Sequence, residues 1–268
     1  MTWVRRHRLL VFFVLAYAIS WAPWPGYAMR WTPAPAFLPV GPLLAALGVI
    51  AVTDGRAGFR ALGRRLLRWR VRWYWYAVAL LLPVAMVVVT ALINAALGAS
   101  VPGLGELAWS QFLLVLGLRL VNPLDSALGE ELGFRGWALP VLQSRHSPVV
   151  SALVLGVLAA GWHIPLVVYG WLGPVGLPST VVITFLYVWL FNRTGGSLLF
   201  PVIFHASQGA FTFGSVSSTA ADLERAGWIY AGVLVVVVLA VLVLDRRAWR
   251  SAPPSAREPQ PSRPPAVR

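Results

Sequence analysis

The amino-acid sequence predicts an all-α protein, a polytopic membrane bundle of about eight transmembrane helices with one amphipathic cytoplasmic helix. Three observations predict it. Hydrophobic residues fill 58% of the 268 positions and charged residues only 12%, about half the charged share of a soluble domain. The mean hydropathy is +0.72. The apolar residues also gather in runs near the length that crosses a bilayer, where helices satisfy their own backbone hydrogen bonds.

The runs fall at roughly 8–24, 36–53, 73–97, 108–130, 148–170, 175–192, 197–214 and 228–244. The first follows Arg5, Arg6 and Arg8 and has no convincing cleavage site after it, so it reads as a retained span rather than a signal peptide. The shorter runs hold Gly, Pro and polar residues, as expected of segments that line a protein interior. One transmembrane unit is expected over 1–250, with its core at 36–214, followed by a disordered Pro-, Ser- and Arg-rich tail at 251–268.

The net charge is +13, and all 22 basic residues are arginine. The arginines sit between the apolar runs, so they act as topology signals and not as a nucleic-acid surface. Their alternation places both termini in the cytoplasm of a multi-pass cell-membrane protein. In 54–72, Phe59, Leu62, Leu66, Leu67 and Trp69 interleave with arginines at near-helical spacing. That segment reads as an amphipathic helix on the anionic inner leaflet, with membrane lipid as its partner. Cysteine is absent, which excludes disulfides, thiolate catalysis and a Cys-based zinc site.

Ionisable residues at membrane depth mark function, and few qualify: Arg119, Asp125, Glu130, Glu131, His163 and His205. The centre of interest is Gly129-Glu130-Glu131-Leu132-Gly133-Phe134-Arg135-Gly136. Adjacent helical residues point about 100° apart, so the two glutamates serve different faces. Glu131 and Arg135 are four apart with the acid first, the favourable order for a helical ion pair, and this pair reads as structural. Glu130 has no local partner. Asn122, Ser126 and Glu130 step by four along one expected face, which would line a wet cavity and let Glu130 serve as a general base. His163 and His205 each stand alone in an apolar stretch. One such histidine is as readily an interhelical hydrogen bonder; two with a glutamate pair form a set able to hold and activate water, with or without a metal.

These residues resemble the motifs of the CPBP family, the CAAX proteases and bacteriocin-processing (Abi) enzymes that include the type II CAAX prenyl endopeptidases. The family's Glu-Glu-x-x-x-Arg motif is matched by Glu130-Glu131-Leu-Gly-Phe-Arg135. Its Phe-x-x-x-His and His-x-x-x-Asn motifs place their histidines on His163 and His205. The resemblance implies an intramembrane endopeptidase in which Glu130 activates water. His163 and His205 would position that water or stabilise the oxyanion, and Glu131 and Arg135 would hold the site. The substrate would be a peptide or protein with a C-terminal or transmembrane segment. Two positions depart from the pattern: Ala159 stands for the second motif's aromatic and Gly209 for the third motif's Asn. Gln208 and Asn122 are candidate replacements for the missing amide.

A zinc ion is the candidate cofactor. Glu130, His163 and His205 meet the three-ligand count of a catalytic zinc site, but a ligating Glu130 is poorly placed to act also as the base. No His-Glu-x-x-His segment is present, and the reading leans to a metal-free water. Two other classes compete: a catalytically weak relative acting as a membrane scaffold or bacteriocin-immunity factor, and a proton-relaying transporter. The second is disfavoured because no internal repeat is visible.

Overall fold

The computed structural model describes residues 2–31, 37–100, 107–213 and 219–252; the tail expected to be disordered lies almost wholly outside them. The described residues form helices joined by short turns. The principal ones are α1 (Arg8–Trp21), α2 (Gly41–Thr53), α3 (Gly55–Leu66), α4 (Tyr74–Ala96), α5 (Trp109–Val121), α6 (Ser126–Gly133), α7 (Pro148–Trp162), α8 (Gly176–Arg193), α9 (Leu199–Ala210) and α10 (Ala220–Leu244). This is a helical membrane protein.

Among the described residues four helical stretches are long and apolar enough to cross a bilayer: Arg8–Ala28, Tyr74–Ala96, Trp109–Gln143, which is interrupted between Val121 and Ser126, and Ala220–Leu244. Gly41–Thr53 and Pro148–Trp162 are apolar but shorter. At 1.5 Å per residue, such helices reach about 20 Å, less than the hydrocarbon thickness. The amphipathic segment forms α3, whose Leu62 is buried while Arg56, Arg60 and Arg64 stay exposed.

Two expected spans are broken, each at a proline. The run at 108–130 does not continue as one helix: α5 ends at Val121, and Asn122 takes an extended backbone (φ −87°, ψ 110°). Pro123 follows it, and a residue before proline is pushed out of the helical region. Asp125 then caps a new helix by accepting from the Ala127 backbone N–H at 3.2 Å. The expected stripe of Asn122, Ser126 and Glu130 is therefore interrupted; Asn122 sits on an exposed turn and accepts from Leu124 N–H through its own side chain. The run at 148–170 stops at Trp162 and resumes as a short turn at Ile164–Val168, because Pro165 has no N–H to give to the preceding turn. His163 sits at that break.

Packing places these broken helices side by side. α1 lies on α2, α2 on α6, α7 on α8, and α9 against α4 and α5. One apolar cluster surrounds Phe12, Phe134, Leu155, Trp162 and Phe191; a second surrounds Met86, Leu186, Phe200, Phe204 and Leu234. After α6 the chain makes a π-helical turn at Phe134–Ala138 before an α-turn at Leu139–Gln143. Such turns recur at functional sites.

The α2–α6 contact is a backbone approach permitted by glycine. A Cβ on Gly129 would stand 2.7 Å from the Pro39 carbonyl oxygen, and one on Gly133 would run into the Pro42 backbone. Gly133→Ala is expected to lower stability by about 1–3 kcal/mol, the usual cost of overpacking. Gly117→Ala, at a position with nothing within 4 Å, should be neutral or mildly stabilising. Thermal unfolding of the two variants in detergent checks the difference.

Candidate active site

The side chains of interest lie on α6, the π-turn, the α7 break, α8 and α9, at the seam between the two apolar clusters. Glu131 is fully buried and Glu130 is 5% exposed. The two neighbours do different things. Glu131 Oε1 accepts from Arg135 at 3.0 Å and lies 2.9 Å from His205 Nδ1. A carboxylate only accepts, so Nδ1 of His205 carries the hydrogen and Nε2, on the far edge of the ring, is left for another partner. Glu131 Oε2 is buried without a hydrogen-bond partner among the described residues.

Arg135 is almost wholly buried, at 3% exposed. Besides Glu131 it donates to Thr184 Oγ1 at 3.3 Å, and its guanidinium carbon lies 4.1 Å from the centre of the Tyr187 ring. Tyr187 donates through its hydroxyl to Gln208 Oε1 at 2.8 Å. This chain of contacts ties α6 to α8 and α9 and satisfies most of a buried cation, as burial requires.

Glu130 faces the other imidazole. Its Oε2 lies 3.8 Å from His163 Nε2, too far for a direct hydrogen bond. His163 Nδ1 lies 2.7 Å from the Ala159 carbonyl oxygen, one turn earlier. A carbonyl only accepts, so Nδ1 holds the hydrogen and the neutral ring presents a lone pair at Nε2. Two acceptors thus face each other across 3.8 Å. A water placed beside both donates one hydrogen to each and keeps its own lone pairs free.

The structure therefore sorts the expected residues into two linked pairs, Glu130 with His163 and Glu131 with His205. Gln208 enters through Tyr187. Asn122 does not approach the site; it is exposed on the turn between α5 and α6. Among the described residues no group of three His, Cys, Asp or Glu is arranged to hold an ion. Nδ1 of His205 is held by a carboxylate oxygen shared with Arg135, so only Nε2 of that ring is left to face another group.

Several residues here were missed in the sequence. Thr184 and Tyr187 lie in an apolar run and gave only their polarity as a signal. Phe37 lies 6.4 Å from the His163 ring, nearly parallel to it, and Trp162 packs edge-on at 4.8 Å. These rings flank the histidine where Ala159 offers no aromatic side chain. A cavity of about 730 Å³ lies elsewhere, walled by arginines including Arg5, Arg64 and Arg145 together with Trp137; it is not lined by the glutamates or by His163 or His205.

Residues 108–211 match the family model described as type II CAAX prenyl endopeptidase Rce1-like. That segment contains Glu130, Glu131, Arg135, His163 and His205. Over that segment, less than half of the chain, the protein is similar to the type II CAAX prenyl endopeptidases. It is also similar to a CAAX prenyl protease 2 of Methanococcus maripaludis, 27% identical over 188 residues. The similarity covers 64% of this chain and 66% of the archaeal protein, just under two thirds of its length. The buried Glu131–Arg135 pair has a predicted energetic signature. Arg135→Met should cost about 3–5 kcal/mol, because it strands a buried charge. Adding Glu131→Gln should return part of that loss. A double-mutant cycle read by denaturant unfolding checks it, with a coupling of at least 1 kcal/mol expected.

Proposed function

We propose that the protein is an intramembrane endopeptidase that hydrolyses a peptide bond with a water activated by Glu130. The observation that carries this reading is the pair of acceptors, Glu130 Oε2 and Nε2 of His163, facing each other at 3.8 Å in a nearly dry seam. A water donating to both is oriented with its lone pairs outward, towards a scissile carbonyl carbon. As its oxygen bonds to that carbon, Glu130 takes the proton and later passes it to the departing amine nitrogen. The carbonyl oxygen becomes an oxyanion, and hydrogen-bond donors around it lower the barrier. His205 is positioned by Glu131 through Nδ1.

The substrate in this reading is a peptide or protein whose scissile bond is offered from the bilayer, through a C-terminal or transmembrane segment. The arginine alternation favours cytoplasmic termini, with α3 lying on the anionic leaflet. The archaeal relative is named for prenylated CAAX substrates, which makes a prenylated peptide ending in Cys-aliphatic-aliphatic-X the first probe.

The test is cleavage of that peptide by the full chain in proteoliposomes. Glu130→Gln keeps the size and polarity of the side chain, so it should still insert and fold, and it should lose at least about 10³-fold in kcat, as removal of an essential base does. His163→Ala should lose about 10²-fold or more. Full activity in Glu130→Gln would remove Glu130 from the mechanism. A cellular phenotype unaffected by Glu130→Gln would favour the scaffold reading.

A further inference from the structure

Arg119 and its ion-pair partner Asp125 are ionisable residues at membrane depth that the proposed mechanism leaves unused. Arg119 lies in the last turn of α5, and its guanidinium crosses to two other helices. NH2 donates to Ser126 Oγ at 2.6 Å and lies 3.3 Å from Asp125 Oδ1, both at the start of the helix that carries Glu130. On the other side it packs against α9 at Gly209. A Cβ built on Gly209 would collide with Cζ, NH2 and Nε of Arg119. The guanidinium therefore fills the space that a side chain at position 209 would occupy. Position 209 is one helical turn beyond His205 and on the same face. Arg119 Nε is buried and has no hydrogen-bond partner among the described residues, and it belongs to the part of the guanidinium turned to Gly209.

A buried N–H without a partner costs about 1–3 kcal/mol. Through Ser126 and Gly209 the guanidinium touches positions one helical turn from Glu130 and from His205, and this donor is placed to be satisfied by what binds there. We propose that Arg119 is the oxyanion donor of this enzyme. Its guanidinium would replace the side-chain amide that Gly209 lacks and would donate to the oxygen of the tetrahedral intermediate. Gly209 is then required, since its missing Cβ is what admits the guanidinium. No bond to Arg119 forms or breaks; it supplies fixed N–H donors and positive charge where negative charge develops. The inference rests on the peptidase reading above and deepens it.

The experiment uses two readouts on the full chain in lipid: cleavage of the prenylated peptide, and binding of the same peptide with a phosphinate in place of the scissile bond, a tetrahedral anion. Arg119→Met should lower kcat by about 10²–10³-fold, the usual effect of losing one oxyanion donor. It should weaken phosphinate binding to a similar degree while leaving the affinity for the parent peptide within a few-fold. Asp125→Asn, which retains a helix cap but removes the ion pair, should leave both within a few-fold. Arg119→Ala combined with Gly209→Asn should regain at least tenfold over Arg119→Ala.

Unchanged phosphinate binding in Arg119→Met overturns the inference, whatever the catalytic rate. So does an Asp125→Asn loss as large as that of Arg119→Met, which would make Arg119 a brace between α5 and α6. A rise in KM with kcat intact also overturns it, by assigning Arg119 to substrate capture. Glu130→Gln in the same assay separates the two levels: if it is inactive while Arg119→Met is fully active, the peptidase reading stands and only the donor assignment falls.

Discussion

One carboxylate oxygen organises the centre of this molecule. Glu131 Oε1 takes Arg135 at 3.0 Å and His205 at 2.9 Å, inside a residue with no exposed surface. A charge removed from water is tolerated only when opposite charge and hydrogen bonds replace the lost hydration. The arrangement meets that demand with groups from different helices, so the helices are held in register by the need to pair the charge. Arg135 in turn requires the Tyr187 face and Thr184, and Tyr187 requires Gln208. α6, α8 and α9 are thereby fixed relative to one another.

The neighbouring glutamate is available because Glu131 carries this structural load. Adjacent residues on a helix diverge by about 100°, so Glu130 faces the α7 break while Glu131 faces α9. The break positions the ring: the helix ends at Trp162, Pro165 lies two residues past His163, and the Ala159 carbonyl fixes the imidazole through Nδ1. A continuous helix would have carried the ring on through the bilayer with its neighbours. The short helices α2 and α7 thus build a site at their ends, and the long stretches Tyr74–Ala96 and Ala220–Leu244 supply the surrounding apolar wall.

Much of this was legible in the sequence, for identifiable reasons. Apolar runs between arginines specify a membrane bundle because the bilayer tolerates little else. The Glu131–Arg135 pair is a local, four-residue relation, readable from spacing. The break after Val121 was overlooked although its signals were present, Pro123 and the cap residue Asp125. The partner of His205 could not be read, because 74 residues separate it from Glu131 and only tertiary packing joins them. The same holds for Phe37 beside His163 and for Arg119 against Gly209, where a glycine reads as a loss in sequence and as room for a guanidinium in space.

The central claim is that Glu130 and His163 hold a water between two acceptors, with no ion between them. A crystal structure of the chain in lipid, at a resolution that orders solvent, with anomalous data collected at the zinc edge, tests it most directly. The account predicts an ordered water within about 3 Å of both Glu130 Oε2 and His163 Nε2 and no anomalous peak there. A zinc peak at that point, or Glu130 turned away from His163 towards lipid, would contradict it.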